Sequence, residues 1–137
     1  MKNAVLDSFA VLSFLRNEAG ADIVKDYFSK SLQEKKRLFV CSVNWAEIGY
    51  MVIRKRGLSA WKLTQAHLKD FPIEVVETDP GVTEQAAEFK AANKMSLADA
   101  YAAALAKSKQ AELVTGDPEF KPLEENGTLK EIVWLKQ

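Results

Sequence analysis

The chain has 137 residues, 47% hydrophobic and 28% charged, a globular composition of a length that suits one domain over residues 1–137. Its 19 basic and 19 acidic residues cancel, which argues against a chain that coats nucleic acid by bulk charge. One Cys and one His exclude intrachain disulfide frameworks, Cys/His zinc sites and Cys-x-x-Cys chemistry.

Ala4-Val5-Leu6 reads as a short buried strand, and Phe9, Leu12 and Leu15 then recur at helical spacing to about residue 17. Gly20 opens a second helix with a stripe of Ile23, Val24, Tyr27, Phe28 and Leu32. Leu38–Cys41 is the second strand. A helix from about Asn44 to Arg54 follows, its stripe being Trp45, Ile48 and Val52. Gly57 ends it, and Ser59 can cap the next helix, which runs to about Asp70. Ile73–Val76 is a third strand, Asp79-Pro80 starts a helix through Phe89, and Ser96 starts another from Leu97 to about Lys109. Glu112–Thr115 and Ile132–Leu135 complete the strands. Strands separated by helices require crossovers, so the expected fold is a three-layer α/β/α domain with a mainly parallel sheet. Asp7 interrupts the opening MKNAVLDSFAVL, which is therefore not read as a signal peptide, and no run approaches the ~18 apolar residues of a membrane span. A cytoplasmic protein without membrane contact is the expectation.

Charge is uneven along this path. Residues 30–56 carry seven basic residues (Lys30, Lys35, Lys36, Arg37, Arg54, Lys55, Arg56) against Glu34 and Glu47. Residues 71–88 carry five acidic residues and no basic one. Solvated surfaces explain both runs. The sharper reading makes Arg54, Lys55 and Arg56 an RNA-contacting edge.

The glycine-rich phosphate cradles, G-x-G-x-x-G and G-x-x-x-x-G-K-[ST], do not occur. His67 lies mid-helix among Leu63, Ala66 and Leu68 and reads as structural. Cys41 ends an apolar strand and reads as a buried, inert thiol. Carboxylates remain. Asp7 follows strand one, Glu47 stands in the first turn after strand two, Asp99 in the first turn of the Ala-rich helix, and Asp117 just after strand four. In a parallel sheet these junctions share one edge, where ligands collect. Each acid also has a local explanation. Asp7 can cap its helix, Asn44-x-x-Glu47 and Ser96-x-x-Asp99 resemble capping boxes, and Asp117-Pro118 opens a turn. Asp99 resists this reading, because Ala100–Ala106 is apolar all round and a helix of that kind is buried. An unpaired buried carboxylate needs a cation or strong donors. Converging acids without His would hold a hard metal, Mg²⁺ or Mn²⁺, which suits phosphodiester hydrolysis.

Taken together, Asp7-Ser8, the early-helix Glu47, Ser96-Leu97-Ala98-Asp99-Ala100 and Thr115-Gly116-Asp117-Pro118-Glu119-Phe120 resemble a PIN domain. The chain is similar to the small toxins of VapBC-type toxin–antitoxin pairs. This resemblance implies about five parallel strands and a metal-dependent endoribonuclease. It implies that Asp7, Asp99 and Asp117 hold the metal, directly or through water, and that Glu47 completes the cluster and helps position or deprotonate the attacking water. Ser8 and Thr115 match supporting hydroxyls, and Glu119 is an extra acid or only bounds the turn. It further implies a homodimer and a cognate antitoxin docked on an apolar or aromatic groove. Tyr50, Trp45 and Trp61 are candidates for that groove by residue type, with core packing as the plainer role of each.

Two other readings stand beside this one. A PIN-like domain with weak catalysis that binds a partner would keep the same pattern. A phospho-acceptor signalling domain shares the size and the α/β alternation. It needs adjacent acids after strand one and an acceptor Asp after a middle strand, where this chain has Asp7-Ser8 and Cys41-Ser42.

Overall fold

The structure, a computed structural model, describes residues 2–135; Met1 and residues 136–137, the ends of the 1–137 domain expected above, lie outside them. Five strands alternate with helices. In chain order they are β1 (Ala4–Leu6), α1 (Ser8–Leu15), α2 (Ala21–Glu34), β2 (Leu38–Cys41), α3 (Ser42–Arg56), α4 (Leu58–Leu68), β3 (Ile73–Val76), α5 (Pro80–Ala92), α6 (Leu97–Lys109), β4 (Glu112–Thr115), α7 (Lys121–Glu125) and β5 (Ile132–Trp134). Every strand pairing is parallel and the order is β3-β2-β1-β4-β5. This is the three-layer, five-stranded parallel architecture expected. A receiver-like signalling domain would show the order 2-1-3-4-5, so the topology speaks against the phospho-acceptor alternative.

The strands alternate their side chains between two apolar layers, as their period of two requires. Val5, Phe39, Cys41 and Leu113 face one core with α5 and α6, where Ala100 to Ala106 let α6 lie close to the sheet. Ala4, Leu6, Leu38, Val40 and Val114 face the other, against α1 to α4. Successive strands run outward from β1 to β3, and the chain then returns to place β4 on the other side of β1. The C-terminal ends of β1 and β4 therefore border the topological switch point, where open parallel sheets bind ligands.

Several local expectations differ from the structure. Leu32, the last residue of the stripe expected for the second helix, is exposed. Ser59 lies inside α4. Gly57, with φ +94°, closes α3 and opens α4 in one turn, a backbone conformation that favours glycine. A 3-10 turn (Pro118–Phe120) and α7 follow β4, anchored by the fully buried Phe120 and Leu123. Too few residues separate those two apolar side chains to give a periodic signal. The last strand ends at Trp134, although Leu135 is still buried.

The basic segment divides into unlike parts. Lys36 is buried and its Nζ meets Glu112 Oε1 at 2.9 Å, an oxygen that also accepts the Tyr27 hydroxyl at 2.7 Å. Arg37 makes a two-pronged contact to Glu74, and Lys30 pairs with Asp26 one turn earlier. Arg54, Lys55 and Arg56 occupy the exposed last turn of α3, where cations also suit the helix dipole.

Candidate active site

β1 ends at Leu6, and Asp7 turns the chain into α1 as its N-cap, with Oδ1 accepting the Ala10 N–H at 2.9 Å. The register that pairs Leu6 with Val114 sets Asp7 beside Thr115, whose hydroxyl donates to Oδ2. Thr115 Oγ1 in turn accepts the Asp117 N–H at 3.0 Å. Thus one hydroxyl ties the ends of β1 and β4 together and sets the start of the next turn. Asp7 is only 1% exposed. Burial, against the opposing effect of these hydrogen bonds, pushes its carboxyl up to about 7.

Asp99 enters from α6. Ser96 caps that helix by accepting the Asp99 N–H at 3.1 Å, the backbone half of the expected capping box. The Asp99 carboxyl does not reach back to complete it: Ser96 N–H donates instead to Glu119 Oε1 at 3.0 Å. Asp99 is 6% exposed, and no donor of the described residues reaches its buried Oδ2. Its neighbours there are the carboxyls of Asp117 and Glu119, all three offering oxygens within 4.8 Å of one another. Burial first, then the facing Glu119 and Asp117, lift the Asp99 carboxyl to about 9. The same contact, with the Ser96 N–H, holds Glu119 below the usual carboxylate range.

Asp117, half-buried, caps the 3-10 turn through Oδ1 and the Glu119 N–H at 2.9 Å. Gly116 between Thr115 and Asp117 is needed for close approach, since a Cβ there would overlap the ring of Phe9. Asp99, Asp117 and Glu119 line an open cavity of about 360 Å³ together with Ser8, Phe9, Glu47 and Ser96. Glu47 is half-buried in the same lining and stands outside the three-carboxylate group; Asp7 is not part of the lining and has both oxygens engaged by the protein. The acids thus gather at one strand edge, with Glu119 inside the tight group and Asp7 and Glu47 around it.

The supporting residues are placed by a contact that sequence reasoning missed. Asn44 is not the N-cap of α3; that position is Cys41. Asn44 is fully buried, and its Nδ2 donates to Ser8 Oγ and to the Ala98 carbonyl, both at 3.2 Å, while Ser8 Oγ donates to the Asn44 carbonyl at 3.3 Å. It therefore joins the starts of α1, α3 and α6, the three helices that carry Asp7, Glu47 and Asp99. Its polar signal was spent on the capping-box pattern, which spacing alone imitates. Cys41 is buried, and burial raises its thiol. His67 is exposed on α4, with its ring parallel to Phe14 at 6.5 Å and away from the acidic cavity. Trp61 is buried against Gly49 and Trp45, whereas Tyr50 is 45% exposed beneath Arg54.

The oxygen-only donor set, with one buried carboxylate oxygen that no donor of the described residues reaches and two further carboxyls facing it, fits a hard divalent cation. A family model described as "PIN domain" matches residues 4–126. No curated protein sequence matches the chain. Among solved structures, the fold is similar to a DNA-bound VapBC from Salmonella typhimurium, with TM-score 0.74, 14% identity and coverage of 98% of this chain and 99% of that one. It is similar to FitAcB from Neisseria gonorrhoeae, with TM-score 0.71, 17% identity and coverage of 96% and 97%. It is also similar to Mycobacterium tuberculosis VapC20, described as a sarcin–ricin loop cleaving toxin, with TM-score 0.61, 19% identity and coverage of 88% and 94%.

Proposed function

This chain belongs to the PIN domain family, and from that premise we propose that it is a divalent-metal-dependent endoribonuclease, acting as the toxin of a toxin–antitoxin pair. The observation that carries the proposal is the buried Asp99 carboxyl, which has an oxygen without a donor and faces Asp117 and Glu119. A surface cluster of acids does not explain that burial, nor the meeting of the start of α6 with the turn that follows β4. Asp99, Asp117 and Glu119 would hold Mg²⁺ or Mn²⁺, with Asp7 acting through water or as added negative charge. Bound there, the cation polarises the scissile phosphoryl group, eases deprotonation of water and stabilises the leaving oxygen.

The protein's own groups supply the rest. Asp99, Asp117 and Glu119 would share the cation's charge, and the cluster would then receive a phosphate rather than repel it. Glu47, in the same lining, accepts the proton of the attacking water on its carboxylate. Thr115 and Ser8, through the hydrogen bonds described, hold Asp7 and the helix starts in place. The similarity to toxin–antitoxin and VapBC complexes supports a cognate antitoxin as partner, and RNA as substrate is supported by the VapC20 description; the homodimer rests on the sequence resemblance alone.

The test is RNA cleavage by the purified protein in Mg²⁺ or Mn²⁺, in EDTA, and with Asp99→Asn and Asp117→Asn. Cleavage is expected only in the metal-containing wild-type reactions. Activity that survives both chelation and the substitutions overturns the metal mechanism. The toxin role is tested by growth arrest on expression, relieved by a small protein encoded beside the gene; growth unaffected by active enzyme rejects it.

A further inference from the structure

A second cavity, also about 360 Å³, opens between α1, α3 and α4. Leu12 and Met51 line both this cavity and the acidic one, so the two are neighbouring compartments of one groove. Their chemistry is opposite. Among the described residues, the acidic compartment is lined by four carboxylates and no cation. The second is lined, among the described residues, by Arg16, Lys55 and Arg56 and by no carboxylate, above an apolar wall of Leu15, Val52 and Leu63. His67 completes it, its exposed ring set by Phe14 on a parallel plane and by Phe71 edge-on at 5.2 Å.

We propose that this compartment is the subsite for the nucleotide flanking the scissile phosphate of a single-stranded RNA, a proposal that rests on the ribonuclease reading above. A strand whose phosphate sits at the acidic cluster leaves that cavity past Leu12 and Met51. The next nucleotide then meets an apolar wall and an imidazole for its base, and three cations for its phosphates. Only an unpaired, splayed base can use such a wall, and the pairing of a flat side chain with basic neighbours is what single-strand sites combine. Lys55 and Arg56, earlier grouped with Arg54, thus belong to the cavity, while Arg54 stands outside it over the Tyr50 ring at 4.8 Å. Arg16, from the end of α1, joins them through the fold alone.

The experiment uses the full chain with Mg²⁺ and a fluorescent, phosphorothioate-linked RNA of randomised sequence, about 12 nucleotides long, in the size range of single-strand sites. Ala60→Trp fills the cavity without changing charge and should weaken binding about tenfold. Arg16→Ala, at an exposed side chain, should lower the slope of log affinity against log salt by about 0.7. Lys35→Ala, at the C-terminus of α2 and outside the cavity, should change neither. A 4-thiouridine version of the RNA should cross-link to the α4 peptide carrying Thr64 and His67. Unchanged affinity and salt slope, with cross-links confined to α6 and the 3-10 turn, overturn the subsite and leave the nuclease reading intact. A change only in the sedimentation of RNA-free protein assigns the cavity to a second copy of the chain and likewise overturns it. Absence of any RNA cleavage by the wild-type protein removes the nuclease reading and this proposal with it.

Discussion

Replacing Asp7 with Asn should stabilise the metal-free protein, and increasingly so as pH rises. Asp7 is buried and its carboxyl is raised from 3.8 to about 7, so the folded state binds its proton more tightly than the unfolded state. A raised acid stabilises the fold below its unfolded pKa and loses that contribution as pH climbs toward the folded value. With 1.36 kcal/mol per pKa unit, the cost of its charge is about 1 kcal/mol at pH 4.5 and about 4 kcal/mol at pH 8. Asn keeps the N-cap toward Ala10 but takes away the oxygen that accepts from Thr115, a loss of about 1 kcal/mol. Asp7→Asn is then nearly neutral at pH 4.5 and about 3 kcal/mol more stable at pH 8, a rise in Tm of roughly 10 °C for a domain of this size. Urea and thermal unfolding in EDTA at the two pH values measure it. A variant equally destabilised at both pH values refutes the reasoning, because it means the Asp7 charge is already compensated in the fold.

Other outcomes follow from the same geometry. Mg²⁺ or Mn²⁺ at a hundredfold excess over its dissociation constant should stabilise the wild type by about 2.7 kcal/mol and Asp99→Asn far less; equal stabilisation of both places the cation elsewhere. Gly116→Ala pushes a methyl group into the Phe9 ring and should cost about 1–3 kcal/mol, with cleavage falling more than stability explains because Asp117 moves; full activity at full stability counts against it. Lys36→Met leaves Glu112 without its cation and should cost about 3 kcal/mol, read by urea unfolding, with cleavage retained once folding is ensured; a neutral effect shows that the Tyr27 hydroxyl alone sustains Glu112. Asn44→Leu removes the amide that donates to Ser8 Oγ and to the Ala98 carbonyl and should cost about 1–3 kcal/mol, measured by thermal unfolding, together with a loss of cleavage; wild-type stability denies it the joining role.

The sequence by itself determined the layered fold and the neighbourhood of the site. Apolar tetrads such as Leu38–Cys41 need both faces covered, and helices between them force parallel crossovers, so the acids after β1 and β4 must share one edge. The apolar surroundings of Asp99 also showed in the sequence, since the Ala-rich helix offers no polar face. Tertiary structure alone decided which carboxyls meet. Glu119 joins Asp99 and Asp117 because a 3-10 turn, fixed by the burial of Phe120, swings it toward the start of α6. Asp7 and Asn44 look in sequence like ordinary capping residues, because a cap pattern is local and is satisfied equally by a solvated end and by a buried junction. Lys36 and Lys55 look alike in one basic run, yet one is buried against Glu112 and the other lines the groove. Charge read along a chain carries no direction, and only packing assigns each side chain a face.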